Sequence, residues 1–194
     1  AELENLISLA KKCGKKTKAA LRVNPDVDPK THKFITTGKK ETKFGVDIER
    51  AEKVFAQYGK NDYVNLCAIH VHLGSGGKTI DPYCEAIKKI LPLIDSLRSK
   101  GFTIEMLDLG GGYGAAYQSD SVPGAAEYAK GIVPLLKGKN LKLVLEPGKS
   151  IIANAAILLT KVLYLKQGGN KKFVIVDAGM NDLIRPCLYD AFHF

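Results

Sequence analysis

The sequence contains no tryptophan and only two methionines and four cysteines, and it has no long apolar run. The longest apolar stretch lies between Ala155 and Leu165, where Thr160 and Lys161 interrupt it, so no transmembrane helix is predicted. The cysteines are widely separated and include no C-x-x-C pair, which argues against a zinc motif and a disulfide framework. The first residues are typical of an amphipathic helix and not of a signal peptide. We therefore expect a cytoplasmic globular protein that does not bind a membrane.

Acidic residues are also few: 20 against 29 lysines and arginines, which gives a formal net charge of +9. A basic balance is common among proteins that bind nucleic acids. Here, however, the lysines are spread along helix faces in pairs such as Lys11 with Lys12, and no aromatic residues are interleaved with them. The charge therefore indicates solvated helix faces and a small anionic ligand, and no nucleic-acid partner is expected.

Strand-like and helical patterns alternate along most of the chain. Short apolar runs typical of buried strands span residues 18–23, 63–74, 102–110 and 141–146, and helical patterns lie at residues 1–14, 48–58, 81–101 and 125–138. This alternation predicts an α/β fold built from βα units around a parallel sheet. Two β segments around a turn at residues 167–170 then predict an antiparallel region. We expect two domains, at residues 1–153 and 154–194.

Each of the four predicted parallel strands ends in polar residues or glycines. They occur at residues 24–25, 72–75, 108–112 and 146–149. In a β/α barrel the carboxyl ends of the strands all open on one face, where catalytic groups lie. We therefore expect these four stretches to form one shared site.

The stretch LDLGGGYGAA, residues 107–116, is the most unusual of these strand ends. Its glycines pass a loose test for a dinucleotide-binding turn. The residues that follow are loop-like, however, and Glu146 lies too far along the chain to be the acid that holds a ribose. Two interpretations remain: a tight turn alone, or a loop whose backbone N–H groups bind a phosphate.

His70 and His72 are two residues apart on a predicted strand, so both side chains project to the same side. Together with Asp108 and Glu146, they could form the site of a metal-dependent hydrolase. A glycine and a serine follow His72 almost directly, which favours a phosphate-binding turn over a metal site. His70 by itself fits a core histidine.

Three further residues each allow two interpretations. Glu146 precedes a Pro-Gly turn that fixes its backbone direction, and its carboxylate suits either a protonated ring nitrogen or a buried pair with a lysine. Arg185 and Tyr189 lie four residues apart, where they suit either binding of an anionic substrate or an ordinary surface pair.

Five segments of the sequence occur in the order in which one enzyme family has them. They are LRVNPDVDPKTHKFITTGKKETKFGVD, IHVHLGS, LDLGGGYG, EPGKSI and DAGMNDLIRPCLY. With this ordered set the chain resembles the fold-type III pyridoxal-phosphate decarboxylases over nearly its whole length. The long first segment and the R-P-x-L-Y element resemble the diaminopimelate branch more than the ornithine or arginine decarboxylases. The resemblance implies the C-terminal half of a TIM-type (β/α)8 barrel, followed by the start of an antiparallel β domain.

The resemblance also implies an activity: decarboxylation of meso-2,6-diaminopimelate to L-lysine with pyridoxal 5′-phosphate, by a homodimer with shared active sites and without a resident metal. His72 would stack on the pyridine ring and Glu146 would pair with its nitrogen, both as catalytic residues. The residues that would hold the phosphate are Ser75, Gly110, Gly111 and Gly112. The residues that would bind the substrate carboxylates are Lys149, Arg185 and Tyr189.

The chain departs from the family pattern in three ways. Lys149 stands where the family usually has arginine, so a bidentate fork becomes a single point charge. Cys187 stands where the family usually has a small residue. The motif with the Schiff-base lysine is absent, as are the downstream cysteine and tyrosine motifs. We therefore expect a fragment with half of the barrel, inactive and unstable on its own.

Three alternative functions stay open at this point. The chain could belong to a decarboxylase for another basic amino acid or for carboxynorspermidine. It could belong to a non-catalytic, decarboxylase-like binding protein. The third alternative is the metal-dependent barrel hydrolase indicated by His70 and His72.

Overall fold

The computed structural model describes residues 1–28, 43–117 and 121–193, so residues 29–42 of the long first family segment lie outside the described residues. The described helices are α1 (Glu2–Lys12), α2 (Ile48–Tyr58), α3 (Asp81–Ser99), α4 (Ala125–Leu136), α5 (Lys149–Ile152) and α6 (Arg185–Tyr189). The described strands are β1 (Thr17–Asn24), β2 (Val46–Asp47), β3 (Val64–His70), β4 (Met106–Asp108), β5 (Lys142–Val144), β6 (Val162–Gly168) and β7 (Lys171–Val176). None of these helices combines the length and the hydropathy needed to cross a bilayer.

Local sequence signals set the ends of the helices. The Asp47 side chain accepts a hydrogen bond of 2.6 Å from the Arg50 amide and so caps α2, which ends before Gly59. Gly14 follows α1 with a φ of +60°, a left-handed conformation that glycine adopts without strain. Pro82 lies in the first turn of α3, where its missing N–H costs nothing. These features confirm the predicted helix ends.

Five strands form one sheet in the order β2-β1-β3-β4-β5, and all its pairs are parallel. From β1 to β5 the order rises in one direction without a reversal. Crossovers between parallel strands are right-handed, so such an order places the connecting helices on one face of the sheet, as in a β/α barrel. The predicted α/β fold with a parallel sheet is therefore confirmed.

The core lies between this sheet and the helices. Along α3, Ile87, Ile90, Ile94 and Leu97 recur at helical spacing and are fully buried. From β3, Val64 and Ile69 are equally buried in the same cluster. Burial of each such side chain stabilises the folded state by about 1.5–3 kcal/mol, so the strands that carry the site residues are anchored in a well-packed core.

The parallel strands are shorter than the sequence predicts. β3 ends at His70 and β5 at Val144, so His72 and Glu146 each lie two residues beyond a strand instead of at its end. Backbone pairing nevertheless continues past β5, because the Glu146 amide donates a 2.9 Å hydrogen bond to the Gly110 carbonyl. The position of Glu146 is therefore fixed although the regular ladder has ended.

The polar composition of the residues after Pro25 predicts a long loop there, and strand β2 lies within that stretch. Val46 and Asp47 pair with Val23 and Asn24 at the end of β1. Only two residues form this strand and their partners are distant in sequence, so no local pattern marks it. The prediction of a continuous loop was wrong here.

β6 and β7 form an antiparallel pair with a sheet of their own. The turn contains Gly169 with a φ of +57°, and the predicted hairpin is confirmed. The domain boundary between residues 153 and 154 stays a prediction.

Candidate active site

Three side chains lie in register across neighbouring strands. Arg22 of β1 pairs with His70 of β3, and His70 pairs with Asp108 of β4. All three stand within two residues of the carboxyl ends of their strands. We call this edge of the sheet, with the loops that follow it, the C-terminal edge. It brings together three of the four predicted strand-end stretches, and the stretch after β5 joins them through Glu146.

Glu146 faces both histidines of the H-x-H motif. Its Oε1 lies 3.9 Å from His70 Nε2 and its Oε2 lies 3.9 Å from His72 Nδ1. Burial lowers the pKa of both histidines below the ordinary value, so both are neutral at neutral pH. These contacts are therefore close approaches between a carboxylate and neutral imidazoles, not salt bridges. They confirm that the two histidines project to the same side.

His70 is not the satisfied core histidine that its position on a strand indicates. Its Nε2 is buried and has no hydrogen-bond partner among the described residues. Oε1 of the Glu146 carboxylate lies 3.9 Å from this nitrogen. The nitrogen therefore faces the site and not the apolar core.

A backbone amide fixes the protonation state of His72. The Gly111 N–H donates a 3.1 Å hydrogen bond to His72 Nδ1, which must therefore carry a lone pair and not a proton. Arg22 Nη2 donates to the His72 carbonyl at 3.4 Å on the other side. The ring of His72 is thus held as the neutral tautomer with its proton on Nε2.

The glycine run packs closely against the neighbouring strand ends. A Cβ atom on Gly111 would overlap the carbonyl oxygen of Glu146, and one on Gly112 would overlap that of Gly74. On Gly110 a Cβ would stand 2.6 Å from the Val71 carbonyl oxygen. The close approach that the three glycines indicate is therefore first of all an approach to other backbone within the chain.

Two of the three glycine amides are already used within the chain. The Gly110 amide donates to Asp108 Oδ1 at 2.8 Å, and the Gly111 amide donates to His72. The Gly112 amide donates to no group among the described residues, and it lies beside Gly74, which precedes Ser75. The phosphate site stays a prediction, and Gly112 and Ser75 are its available donors.

A cluster of three tyrosine side chains contacts the glycine run. The Tyr83 hydroxyl donates to the Gly111 carbonyl at 3.1 Å, and its ring stacks on Tyr113 with 5.1 Å between centroids. Tyr128 meets both rings edge to face and donates to the Gly77 carbonyl. Burial raises the pKa of Tyr113 to about 12, so the cluster stays uncharged.

The structure brings two predicted substrate-binding cations together. Lys149 begins α5, and its pKa is lowered by burial and then by the positive charge of Arg185. Arg185 begins α6, where its Nη1 donates to His193 Nε2 at 2.9 Å and its guanidinium stacks 5.0 Å from the centre of the Tyr117 ring. Neighbouring cations of this kind attract an anion.

Tyr189 and Cys187 lie on the same short helix as Arg185. Tyr189 is half-buried and ends α6 one turn beyond Arg185. The Cys187 thiol is free, exposed and donates to the Ile184 carbonyl. The pairing of Arg185 with Tyr189 in substrate binding stays a prediction.

Arg22 is the residue of this edge that the sequence analysis did not single out. Its guanidinium lies 4.8 Å from the Phe44 ring centre, and burial lowers its pKa while the charge of Glu146 opposes that shift. The signal was present, since Arg22 is a basic residue that follows the apolar run Ala19–Leu21 near the carboxyl end of β1. Partly buried arginines of this kind are rarely placed without an anionic partner.

A cleft of about 540 Å³ lies next to this polar cluster, since Leu145 and Pro147 on either side of Glu146 line it. Its walls are mainly apolar and include Ile132 and Val133 of α4 with Leu143 and Leu145 around β5. Glu146 and the two histidines do not line it. The groups with acid–base chemistry therefore converge at the C-terminal edge and not in the cleft.

Comparison with known proteins identifies this arrangement. A family model described as "Pyridoxal-dependent decarboxylase, pyridoxal binding domain" matches residues 1–153. The chain belongs to this family. The predicted membership of the pyridoxal-dependent decarboxylases is thereby confirmed.

Individual decarboxylases of this family resemble the chain along its whole length. Diaminopimelate decarboxylase of Aquifex aeolicus is 49% identical over 193 residues, and that of Pseudomonas aeruginosa is 48% identical over 190 residues. The structure of Helicobacter pylori diaminopimelate decarboxylase complexed with L-lysine matches all of the chain with a TM-score of 0.94 and 40% identity. The chain covers 46% of each of the two curated relatives and 48% of the H. pylori structure, so it spans about half of their length.

The C-terminal edge fits the cofactor of the pyridoxal-dependent decarboxylases. Such a cofactor needs an acid for its ring nitrogen, a flat group against its ring and donors for its phosphate. Three groups present here have the chemistry to meet these needs: the half-exposed carboxylate of Glu146, the neutral ring of His72 and the amide of Gly112. All three lie beyond the ends of adjacent strands, as the fit requires.

Proposed function

We propose that the protein decarboxylates meso-2,6-diaminopimelate to L-lysine with pyridoxal 5′-phosphate as its cofactor. The observation that carries the proposal is the convergence of Glu146, His72 and Gly112 at the C-terminal edge. The names of relatives at 40–49% identity support the choice of substrate, as does a related structure that holds L-lysine, the product of this reaction.

The proposed cofactor-binding residues each have one task. When bound, pyridoxal 5′-phosphate supplies a conjugated ring that takes up the electron pair left when carbon dioxide departs. Glu146 would accept a hydrogen bond from the protonated ring nitrogen and so keep the proton there. Neutral His72 would contact the ring, and the Gly112 amide with the Ser75 hydroxyl would hold the phosphate. The amides of Gly110 and Gly111 hold the loop in place through Asp108 and His72.

The proposed substrate-binding residues are Lys149, Arg185 and Tyr189. Diaminopimelate carries two carboxylates, and the close pair of Lys149 and Arg185 provides two positive charges for one of them. Arg185 is held in place by His193 and by the Tyr117 ring, so little side-chain freedom is lost when an anion binds. Binding at this pair orients the substrate relative to Glu146.

A substrate panel on the full-length protein tests this function. We expect release of carbon dioxide from meso-diaminopimelate and none of comparable rate from ornithine, arginine or carboxynorspermidine. Release from ornithine without release from diaminopimelate would show that the substrate assignment is wrong.

A matched pair of variants tests the site. Glu146→Gln removes the charge that keeps the ring nitrogen protonated, and we expect kcat to fall by about 100-fold or more, as for the loss of one preorganised electrostatic group. The control is Glu105→Gln, which removes an exposed glutamate paired with Lys18 and should leave kcat within about twofold. Equal activities of the two variants would contradict the role of Glu146.

We also propose the cellular location and the oligomeric state of the protein. It works in the cytoplasm, which suits its free thiols, two of which, Cys13 and Cys187, are exposed. It works as a homodimer with shared active sites. Sedimentation equilibrium of the full-length protein tests the dimer, and a monomer at micromolar concentration would contradict it.

A further inference from the structure

Three ligand atoms of the C-terminal edge lie within reach of a single metal ion. His70, His72 and Glu146 each offer one atom, and these atoms all lie within 4.8 Å of one another. Each histidine nitrogen lies 3.9 Å from a Glu146 oxygen. Ligands around tetrahedral zinc stand about 3.3 Å apart, because each bond is about 2.0–2.1 Å long. Small side-chain rotations therefore bring the three atoms onto one ion.

Both histidine nitrogens are ready to coordinate. His70 Nε2 is buried without a hydrogen-bond partner among the described residues, so a metal would satisfy a polar atom that otherwise has none. His72 Nδ1 carries a lone pair, as its hydrogen bond from the Gly111 amide shows. Coordination of a metal by His72 Nδ1 would replace its hydrogen bond from Gly111 with a metal–nitrogen bond.

The electrostatic environment suits a divalent cation. The Glu146 carboxylate approaches both histidine nitrogens, and Asp108 of β4 pairs in register with His70, so a second carboxylate stands on the neighbouring strand. Arg22 of β1, which also pairs with His70, is the opposing positive charge. Two nitrogens and one carboxylate match the preference of zinc, whereas magnesium prefers a shell of oxygen atoms.

We propose that His70, His72 and Glu146 form a zinc site that is accessible whenever the pyridoxal cofactor is absent. The site leaves a fourth position of the tetrahedron open to water. Zinc and the cofactor then compete, because both use His72 and Glu146. Zinc binding itself is independent of the proposed decarboxylase function, and only the competition rests on it.

Titration of the full-length protein, stripped of cofactor, with zinc chloride in competition with a zinc-sensitive dye tests the site. We expect one zinc ion per chain and no binding of magnesium chloride. His70→Gln should weaken zinc binding by at least about 10-fold, a loss that even an outer-shell partner can cause. The matched control is His193→Gln, which removes a histidine beside Arg185 and should leave zinc affinity unchanged.

A spectroscopic measurement on the unaltered protein covers the case in which a variant does not fold. X-ray absorption of the zinc-loaded, cofactor-free protein should show two imidazole ligands. Absence of stoichiometric zinc binding, equal affinities of His70→Gln and His193→Gln, or a zinc shell without two imidazoles would each overturn the proposal.

Competition separates this proposal from the proposed function. Pyridoxal 5′-phosphate added to the zinc-loaded protein should release the metal in proportion to the cofactor bound. Release would support a shared site. Cofactor binding with full retention of zinc would overturn the competition, and with it the placement of the cofactor on His72 and Glu146, while the titration still decides zinc binding by itself.

Discussion

Replacement of Gly110 by alanine tests whether close backbone packing, and not turn conformation alone, is the reason for the glycine run. Gly110 has a φ of +63°, and an added Cβ would stand 2.6 Å from the Val71 carbonyl oxygen and 2.7 Å from His72 Nδ1. Ordinary contacts begin at 3.4 Å, so the neighbours would have to move by about 0.8 Å.

The structure supplies a control with the same backbone conformation. Gly14 has a φ of +60°, and an added Cβ would meet nothing within 4 Å. Both substitutions carry the left-handed penalty of about 1–2 kcal/mol, and both restrict the unfolded chain equally. The difference between them therefore isolates the cost of crowding, which is about 1–3 kcal/mol for an overpacked site.

Denaturant unfolding of the full-length protein measures this difference. We expect Gly110→Ala to lower the free energy of unfolding by about 2–5 kcal/mol and Gly14→Ala by about 1–2 kcal/mol, at unchanged slope with denaturant. Gly110→Ala should also weaken cofactor binding, because the new methyl group pushes against His72. Equal losses of stability in the two variants would refute the packing argument.

Two further predictions concern charge. Lys149→Arg should lower the KM for diaminopimelate by roughly 3-fold to 10-fold, because a guanidinium binds a carboxylate with two hydrogen bonds. Steady-state kinetics measure this beside the exposed control Lys142→Arg, which should leave KM unchanged. A KM of Lys149→Arg that does not fall would contradict the prediction. Because the pKa values of His70 and His72 are lowered by burial, the unfolded state binds more protons, and stability should fall as pH drops below about 6.5. In the double variant His70→Gln, His72→Gln, the free energy of unfolding should fall less between neutral and mildly acidic pH than it does in the unaltered protein. An equal fall in both proteins would contradict the prediction.

Much of the fold could be predicted because its signals are local. The cap at Asp47, the glycine after α1 and the helical spacing of isoleucines in α3 each depend on neighbours in sequence. The pairing of β2 with β1 could not be predicted, since two residues carry no period and their partners are distant. The ends of β3, β4 and β5 were placed two to four residues too late, because pairing beyond His70 and Val144 becomes irregular.

The candidate site was predictable in its members more than in its contacts. The sequence indicated that His70, His72, Asp108 and Glu146 meet at one edge, which follows from parallel strands alone. It could not indicate which glycine amides are already used, because this depends on the side-chain positions of Asp108 and His72. The role of Arg22 was equally hidden, since it arises from register with His70 across the sheet.

Register explains how one partly buried guanidinium, that of Arg22, acts on the whole C-terminal edge. Burial lowers the pKa of both histidines, and the positive charge of Arg22 lowers both further. Neutral imidazoles are what the Gly111 hydrogen bond, a flat contact with a cofactor ring and a metal ion all require. The same charge attracts the Glu146 carboxylate, which counters the effect of burial on Arg22. The chemistry of this edge therefore depends on a residue outside the four strand-end stretches, whose place next to His70 is set by the pairing of β1 with β3.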